Sequence, residues 1–488
     1  MFKKTTFSRI ALPLHESVQK SVAHLNLIME DQLFIKGVPH LTQHSPLHIK
    51  HQPAMVLRNN RFFLFFLMLA AAPLAAQSPT PAPAQKTAIL ILGATAHLGN
   101  GTVIANSAIA FENGKLTLVT DASTARIDRT KYGKIFDAVG KQVYPGFIAT
   151  NSQLGLVEID AARSTVDFAE TGSLNPNART IIAYNTDSEV PPTVRTSGVL
   201  LAQIVPSGGI LSGTSSVVQL DAWNWEDAAY RMDDGVHLNW PVPRNPPGAE
   251  PGPTLEAKRT EQYEKDVLAL RRFLEEARGY AQQAAVEVKN PKFEAMRGVF
   301  AQKQNLYIHV NTAKGIQESI LFAEQFGLRP VLVEAGDAWL VVDFLKAHNV
   351  SVILAKTQRL PTRDDEDVDQ SYKTATVLQE KGVLFAFSEE GNWRQRNLAF
   401  QAGQAVGYGL PYEAALSALT LNTAKILGID ATVGSLEIGK DATLFISEGD
   451  ALDMRAAQVT AAFIQGREIN LDNKQKELYR KYEQKYKQ

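Results

Sequence analysis

The sequence predicts an α/β protein built on a (β/α)₈ TIM barrel with a small β-rich domain, and three observations predict it. From residue 306 to 407 apolar strand-like runs alternate with helical segments, which implies a parallel sheet with right-handed crossovers. The repeating unit is roughly 25–30 residues, which fits a barrel better than an open sheet without excluding the latter. Strand-and-turn patterning without helices brackets this region on both sides. A length of 488 residues suits one barrel with an appended smaller domain.

Composition narrows the function classes. The chain is 45% apolar and 21% charged, the balance of an ordinary globular protein. A formal net charge of −1 gives no electrostatic basis for binding nucleic acid or an anionic membrane, so neither is expected as a partner. There are no cysteines, which excludes disulfides and thiolate ligands and leaves the redox compartment open.

Taken in order, residues 55–76 read as a secretory signal peptide. Arg58 and Arg61 supply the basic start, residues 62–69 an apolar core, and the alanines up to Ala76 a cleavage site. The apolar run is short of the roughly 20 residues that a membrane span needs, although a retained anchor stays open at this point. A secreted, periplasmic protein is expected. Residues 1–54, upstream of this leader, read as a non-native or unstructured extension with Met55 as the start. Six of the ten histidines fall there (His15, His24, His40, His44, His48 and His51), leaving His97, His237, His309 and His348 to the mature chain.

Residues 77–85 form a Pro/Ala linker, expected to be extended and mobile. In residues 86–143 short apolar runs are broken by Gly99-Asn100-Gly101 and Asn113-Gly114, a hairpin signal, and read as an antiparallel β-domain. The barrel region spans 144–429, with strands at 199–205, 306–310, 330–334, 351–354 and 383–387. Helices are expected at 315–326, 337–348, 371–381 and 398–407. An insertion at about 241–302 interrupts the rhythm. Pairs such as Glu261 with Lys265 mark it as a solvated helical hairpin over the barrel. Residues 430–470 return to strand-and-turn patterning, and 471–488 form a charged, solvent-facing helix.

Three segments resemble the amidohydrolase superfamily, in its imidazolonepropionase-like branch. The first is Tyr144-Pro145-Gly146-Phe147-Ile148-Ala149-Thr150-Asn151-Ser152-Gln153-Leu154-Gly155, the frame of the family's first barrel strand. The second is Thr420-Leu421-Asn422-Thr423-Ala424-Lys425-Ile426-Leu427-Gly428. The third is Gly434-Ser435-Leu436-Glu437-Ile438-Gly439-Lys440-Asp441-Ala442. Their order and spacing are more specific than any one alone. The resemblance, over residues 86–470, implies a barrel flanked by a β-sandwich built from 86–143 and 430–470.

It also implies a chemistry. The family places a divalent metal at the C-terminal face of the barrel, where it acidifies bound water and polarises a carbonyl. Its usual ligands are His-x-His after strand 1, histidines after strands 5 and 6, and an Asp after strand 8. Alternate strand residues face one way, so Asn151 and Gln153 keep the His-x-His geometry without the imidazoles. Neutral amides are weak zinc ligands but can bind a polar substrate.

The remaining positions are carried over as His309 after strand 5, Glu334 beside Ala335 after strand 6, and Glu389 or Glu390 after strand 8. The expected metal set is therefore His309, Glu334 and Glu389, with zinc the first candidate and a metal-free site the alternative. Glu389 and Glu390 are the catalytic candidates, or else a solvated loop.

A second candidate site is the glycine- and hydroxyl-rich run 206–216. Following a barrel strand, Ser207, Gly208 and Gly209 can offer N–H groups to an anion or carboxylate. Trp223 and Trp225 are expected to pack beneath it. The resemblance implies a hydrolase of amide-type C–N bonds acting on a small-molecule or peptide-like substrate. The alternative is an inactive homologue that binds a ligand or pairs with a related amidohydrolase. A homo-oligomer is also open.

Overall fold

The computed structural model describes residues 80–243 and 253–487. The extension 1–54 and the leader 55–76 lie outside the described residues.

Eight strands form one sheet in sequential order: β1 (Phe147–Ser152), β2 (Val199–Ile204), β3 (Leu211–Gln219), β4 (Ala229–Asn239), β5 (Asn305–Val310), β6 (Pro330–Glu334), β7 (Ser351–Leu354) and β8 (Phe385–Phe387). The Thr150 hydroxyl donates to the Phe387 carbonyl at 2.9 Å, stitching β1 to β8 where the barrel closes. The strands from β4 to β8 pair in parallel, as β1 does with β2. Crossover helices follow the expected rhythm, and among them α1 (Ala313–Gln325), α2 (Gln370–Glu380) and α3 (Leu398–Val406) cover the outer face. Their inward residues, such as Ile316, Ile320, Ala375 and Leu378, join the main core.

The barrel is not wholly parallel. β3 runs antiparallel to both β2 and β4, and the second half of the run expected as a loop, from Leu211, is strand. The link at 205–210 is too short for a crossover, which takes a dozen or more residues, so the chain turns back as a hairpin.

The insertion between β4 and β5 is the expected helical hairpin, Pro253–Ala281 and Pro291–Phe300, but it is not a freely solvated one. Leu270, Leu274 and Ala277 lie on one helical face and are fully buried with Met296 and Val299. Only the outer face, with Glu261 and Lys265 at 2.6 Å, meets solvent.

The β-rich part comprises two sheets around a second core that includes Ile91, Phe111, Val143, Leu444 and Phe463. One sheet takes its strands from residues 89–137. The other pairs Gln142–Pro145 with Leu444–Ser447, joining both chain ends. That strand runs directly into β1, with Tyr144 stacked on His97 and Phe445 at the joint. Gly146 is required there, because a Cβ would come within 2.8 Å of Leu200.

The described part of the Pro/Ala linker expected to be mobile, residues 80–85, is tied down. The Ala82 N–H donates to Asp221 and its carbonyl accepts from Arg467, while Asp221 also pairs with buried Arg195. Among the described residues no helix is long and apolar enough to cross a membrane.

Candidate active site

The C-terminal ends of the strands bring most of the expected residues to one mouth. On β1, Asn151 occupies a register break and has φ +50°, left-handed backbone that costs a non-glycine residue. Its N–H donates to Gln203 at 3.3 Å, and the Gln153 N–H reaches the Gly391 carbonyl of the β8 loop at 3.5 Å. Among the described residues neither side-chain amide has a hydrogen-bond partner. At the end of β6, Glu334 and Ala335 have φ +72° and +45° in succession. Asn151 and Ala335, two of the positions that the resemblance equates with metal ligands, thus sit on strained backbone.

The carboxylates occupy different environments. Glu334 is half-buried and accepts from Asn311 Nδ2 at 2.5 Å. Burial pushes its carboxyl up; the Asn311 bond opposes this and the charge of Glu390 adds to it. Glu390 is exposed and pairs with Lys356 Nζ at 2.6 Å. Glu389 is 3% exposed. Its carboxylate accepts from Gln401 and from the Glu390 N–H, and Gln401 in turn is held by Thr357 and the Gln358 N–H. Burial also raises Glu389, against its hydrogen bonds and Lys356. Glu389 therefore braces the β8 loop against α3, and Glu390 is the one presented to solvent.

His309 faces a partner that sequence reasoning missed. His237 on β4 is fully buried, and its Nδ1 lies 2.9 Å from His309 Nε2. Burial drives both imidazoles toward the neutral form, His309 down to about 4 and His237 well below the usual range. A signal was present: in Gly235-Val236-His237-Leu238-Asn239 apolar and polar residues alternate, which places His237 and Asn239 on one face.

Behind the pair sits a buried network. His237 stacks on Tyr307, with centroids 4.8 Å apart, and the Tyr307 hydroxyl donates to Asp234 at 2.6 Å. Ser215 and Gln203 also donate to Asp234, at 2.7 and 2.8 Å.

These residues do not fit a divalent metal. The structure does not bring His309, Glu334 and Glu389 together, and among the described residues no group of three or more His, Cys, Asp or Glu can hold one ion. His309 has one nitrogen committed to His237, Glu389 is turned onto Gln401, and Ala335 has no donor. Amides at 151 and 153 do not restore the set.

The second candidate site is largely self-satisfied. The Ser207 N–H donates to the Phe168 carbonyl at 2.8 Å. Gly209 abuts the carbonyls of Gly172 and Ser173, where a Cβ would come within 2.9 Å. The glycines thus admit the 169–175 loop. A cavity of about 600 Å³ opens beside it, lined by Asp167, Glu170, Arg179, Pro206 and Ser212 among others. Trp225 packs against the core as expected, whereas Trp223 is 66% exposed and does not.

Residues 210–469 match the model of the amidohydrolase family. No curated protein matches the chain. Among solved structures, an amidohydrolase from Thermotoga maritima MSB8 is 24% identical with a TM-score of 0.66, covering 78% of this chain and 99% of that one. A molinate hydrolase structure is 14% identical with a TM-score of 0.50, covering 80% and 96%. At these identities the likeness is one of fold.

Proposed function

The chain belongs to the amidohydrolase family, and we propose that it hydrolyses an amide-type C–N bond, in a cyclic amide or peptide-like substrate, at this barrel mouth. Within the family we place it in the imidazolonepropionase-like branch, as a secreted, periplasmic member with a degenerate metal site. The leader-like residues 55–76 support the location, and Asn151, Gln153 and Ala335 support the degeneracy.

The observation that carries the hydrolytic reading is the contrast between two neighbouring carboxylates. Glu334 is pushed toward its protonated form by burial and by Glu390, while Glu390 stands exposed in an ion pair with Lys356 Nζ at 2.6 Å. Such a divided pair suits general acid–base catalysis. Glu390 takes a proton from water as the water oxygen bonds to the amide carbon. The C–N bond then breaks and the nitrogen leaves with the proton of Glu334. Asn151 and Gln153 offer amides to the polar groups of the substrate.

A second reading is favoured by the same three substitutions: an inactive homologue that binds a ligand or pairs with a related amidohydrolase. The mature protein should be assayed on dipeptides and on hydantoin. Turnover that falls about 100-fold or more in Glu390→Gln and Glu334→Gln supports the hydrolase. Turnover unaffected by either change, or none at all from folded protein, discards it in favour of the second reading. Metal analysis of the same preparation should find less than one zinc or manganese per chain.

A further inference from the structure

We infer that His309 serves the mouth as a neutral hydrogen-bond donor through Nδ1–H, aimed at a carbonyl or carboxylate oxygen, and that His237 is the positioning residue that fixes this tautomer. The inference rests on the mouth being the ligand site proposed above, but not on hydrolysis taking place there.

His237 Nδ1 and His309 Nε2 share one hydrogen bond, so one ring must donate and the other accept. His237 Nε2 is buried and has no partner among the described residues. If His309 donated, His237 would carry its proton on that Nε2, leaving an N–H stranded in the core. Buried unpaired N–H groups are rarer than buried unpaired acceptors. The arrangement with fewer stranded donors puts the proton on His237 Nδ1. His309 then accepts at Nε2 and must carry its own proton on Nδ1.

His309 Nδ1 is the nitrogen left for the mouth. It has no hydrogen-bond partner among the described residues, and His309 is half-buried where His237 is fully buried. The positioning is built into two strands. His237 is directly opposite Tyr307 in the β4–β5 register, and their rings stack within 21° of parallel. Tyr307 is itself pinned by Asp234, and it fits because residue 235 is glycine: a Cβ there would come within 2.3 Å of its ring. A donor locked in place before the ligand arrives is what stabilises charge developing on a carbonyl oxygen.

The test is ¹⁵N NMR of imidazole-labelled full-length protein at neutral pH, because tautomers are read directly there. Both rings should show the Nδ1–H pattern, and the His309 Nδ1–H signal should shift when N-acetylglycine, which carries both oxygen types, is added. His237→Asn, whose amide places a donor near the old Nδ1, should keep the His309 pattern. His237→Phe should convert His309 to a mixture containing Nε2–H. An Nε2–H pattern at His309 in the native protein, or a signal unmoved by the probe, overturns the donor role. A His309 spectrum unchanged in a folded His237→Phe overturns the positioning role. Neither readout requires turnover, so a protein that hydrolyses nothing leaves them intact.

Discussion

The two walls of the barrel mouth are built on opposite plans. On the β4–β5 wall the polar side chains form one chain of contacts: His309 meets His237, His237 lies on Tyr307, and Tyr307, with Ser215 and Gln203 from the neighbouring strands, converges on Asp234. On the β1–β6–β8 rim the backbone is strained at Asn151, Glu334 and Ala335, and the one side-chain hydrogen bond found among these three is that of Glu334 with Asn311. One wall is a closed network that dictates a single arrangement. The other is a rim whose left-handed backbone positions carry side chains with few partners in common. Strain persists where the surrounding structure enforces it, so the rim's shape is a property of the barrel more than of the residues on it.

The sharpest way to break the comparison is Asp234→Ala. Removing the acceptor shared by Tyr307, Gln203 and Ser215, of which Ser215 keeps the Gly235 carbonyl within reach, should cost about 3 kcal/mol or more in urea unfolding. A loss under 1 kcal/mol would mean that the wall is not a network.

Acid probes the same wall. The folded chain holds His309 at about 4, whereas an unfolded histidine titrates near 6.5. Between these values the unfolded state takes up a proton that the folded state refuses, so stability falls as pH drops from about 6.5 to 4. Relative to His309→Phe, the native protein should lose about 2 kcal/mol across that window, the partial exposure of the ring trimming the full effect. Parallel stability curves for the two proteins would refute the assignment.

The rim should respond in the other direction. Ala335→Gly relieves a left-handed conformation and should raise stability by about 0.5–1 kcal/mol, read as an increased urea midpoint. A decrease would show that the φ there is not strained. At the far end of the scale, Glu261→Gln on the inserted hairpin breaks an exposed pair and should change stability by less than about 0.5 kcal/mol.

The contrast also explains what could be read from the sequence. The motifs that carried the family resemblance lie where the sandwich meets the barrel. Gly146 clears Leu200, and Gly434, φ +93°, lets the helix Leu421–Leu427 approach until a Cβ would sit 2.7 Å from Ala424. Such contacts depend on local chain shape and leave fixed residues in fixed order, so the barrel was legible. The hairpin at β3 was not, because glycines and hydroxyls in 206–216 mask a strand. The site was legible only as far as strand ends are: His309, Glu334 and Glu389 belong to the mouth region, but which way each side chain turns depends on Gln401, Asn311 and His237, far away in sequence. His237 went unassigned because only pairing across β4 and β5 gives it a role.

The antiparallel β3 has a consequence for how the chain assembles. Its pairs with β2 and β4 close through short links, while each parallel pair must wait for a helix to be threaded between its strands. Sequence-local contacts form with less loss of chain entropy and hence earlier. The β2–β3–β4 meander, which already contains Gln203, Ser215 and Asp234, is the natural nucleus. Its amides should gain protection first in pulsed hydrogen exchange, so that the buried acid is enclosed before the barrel closes around it.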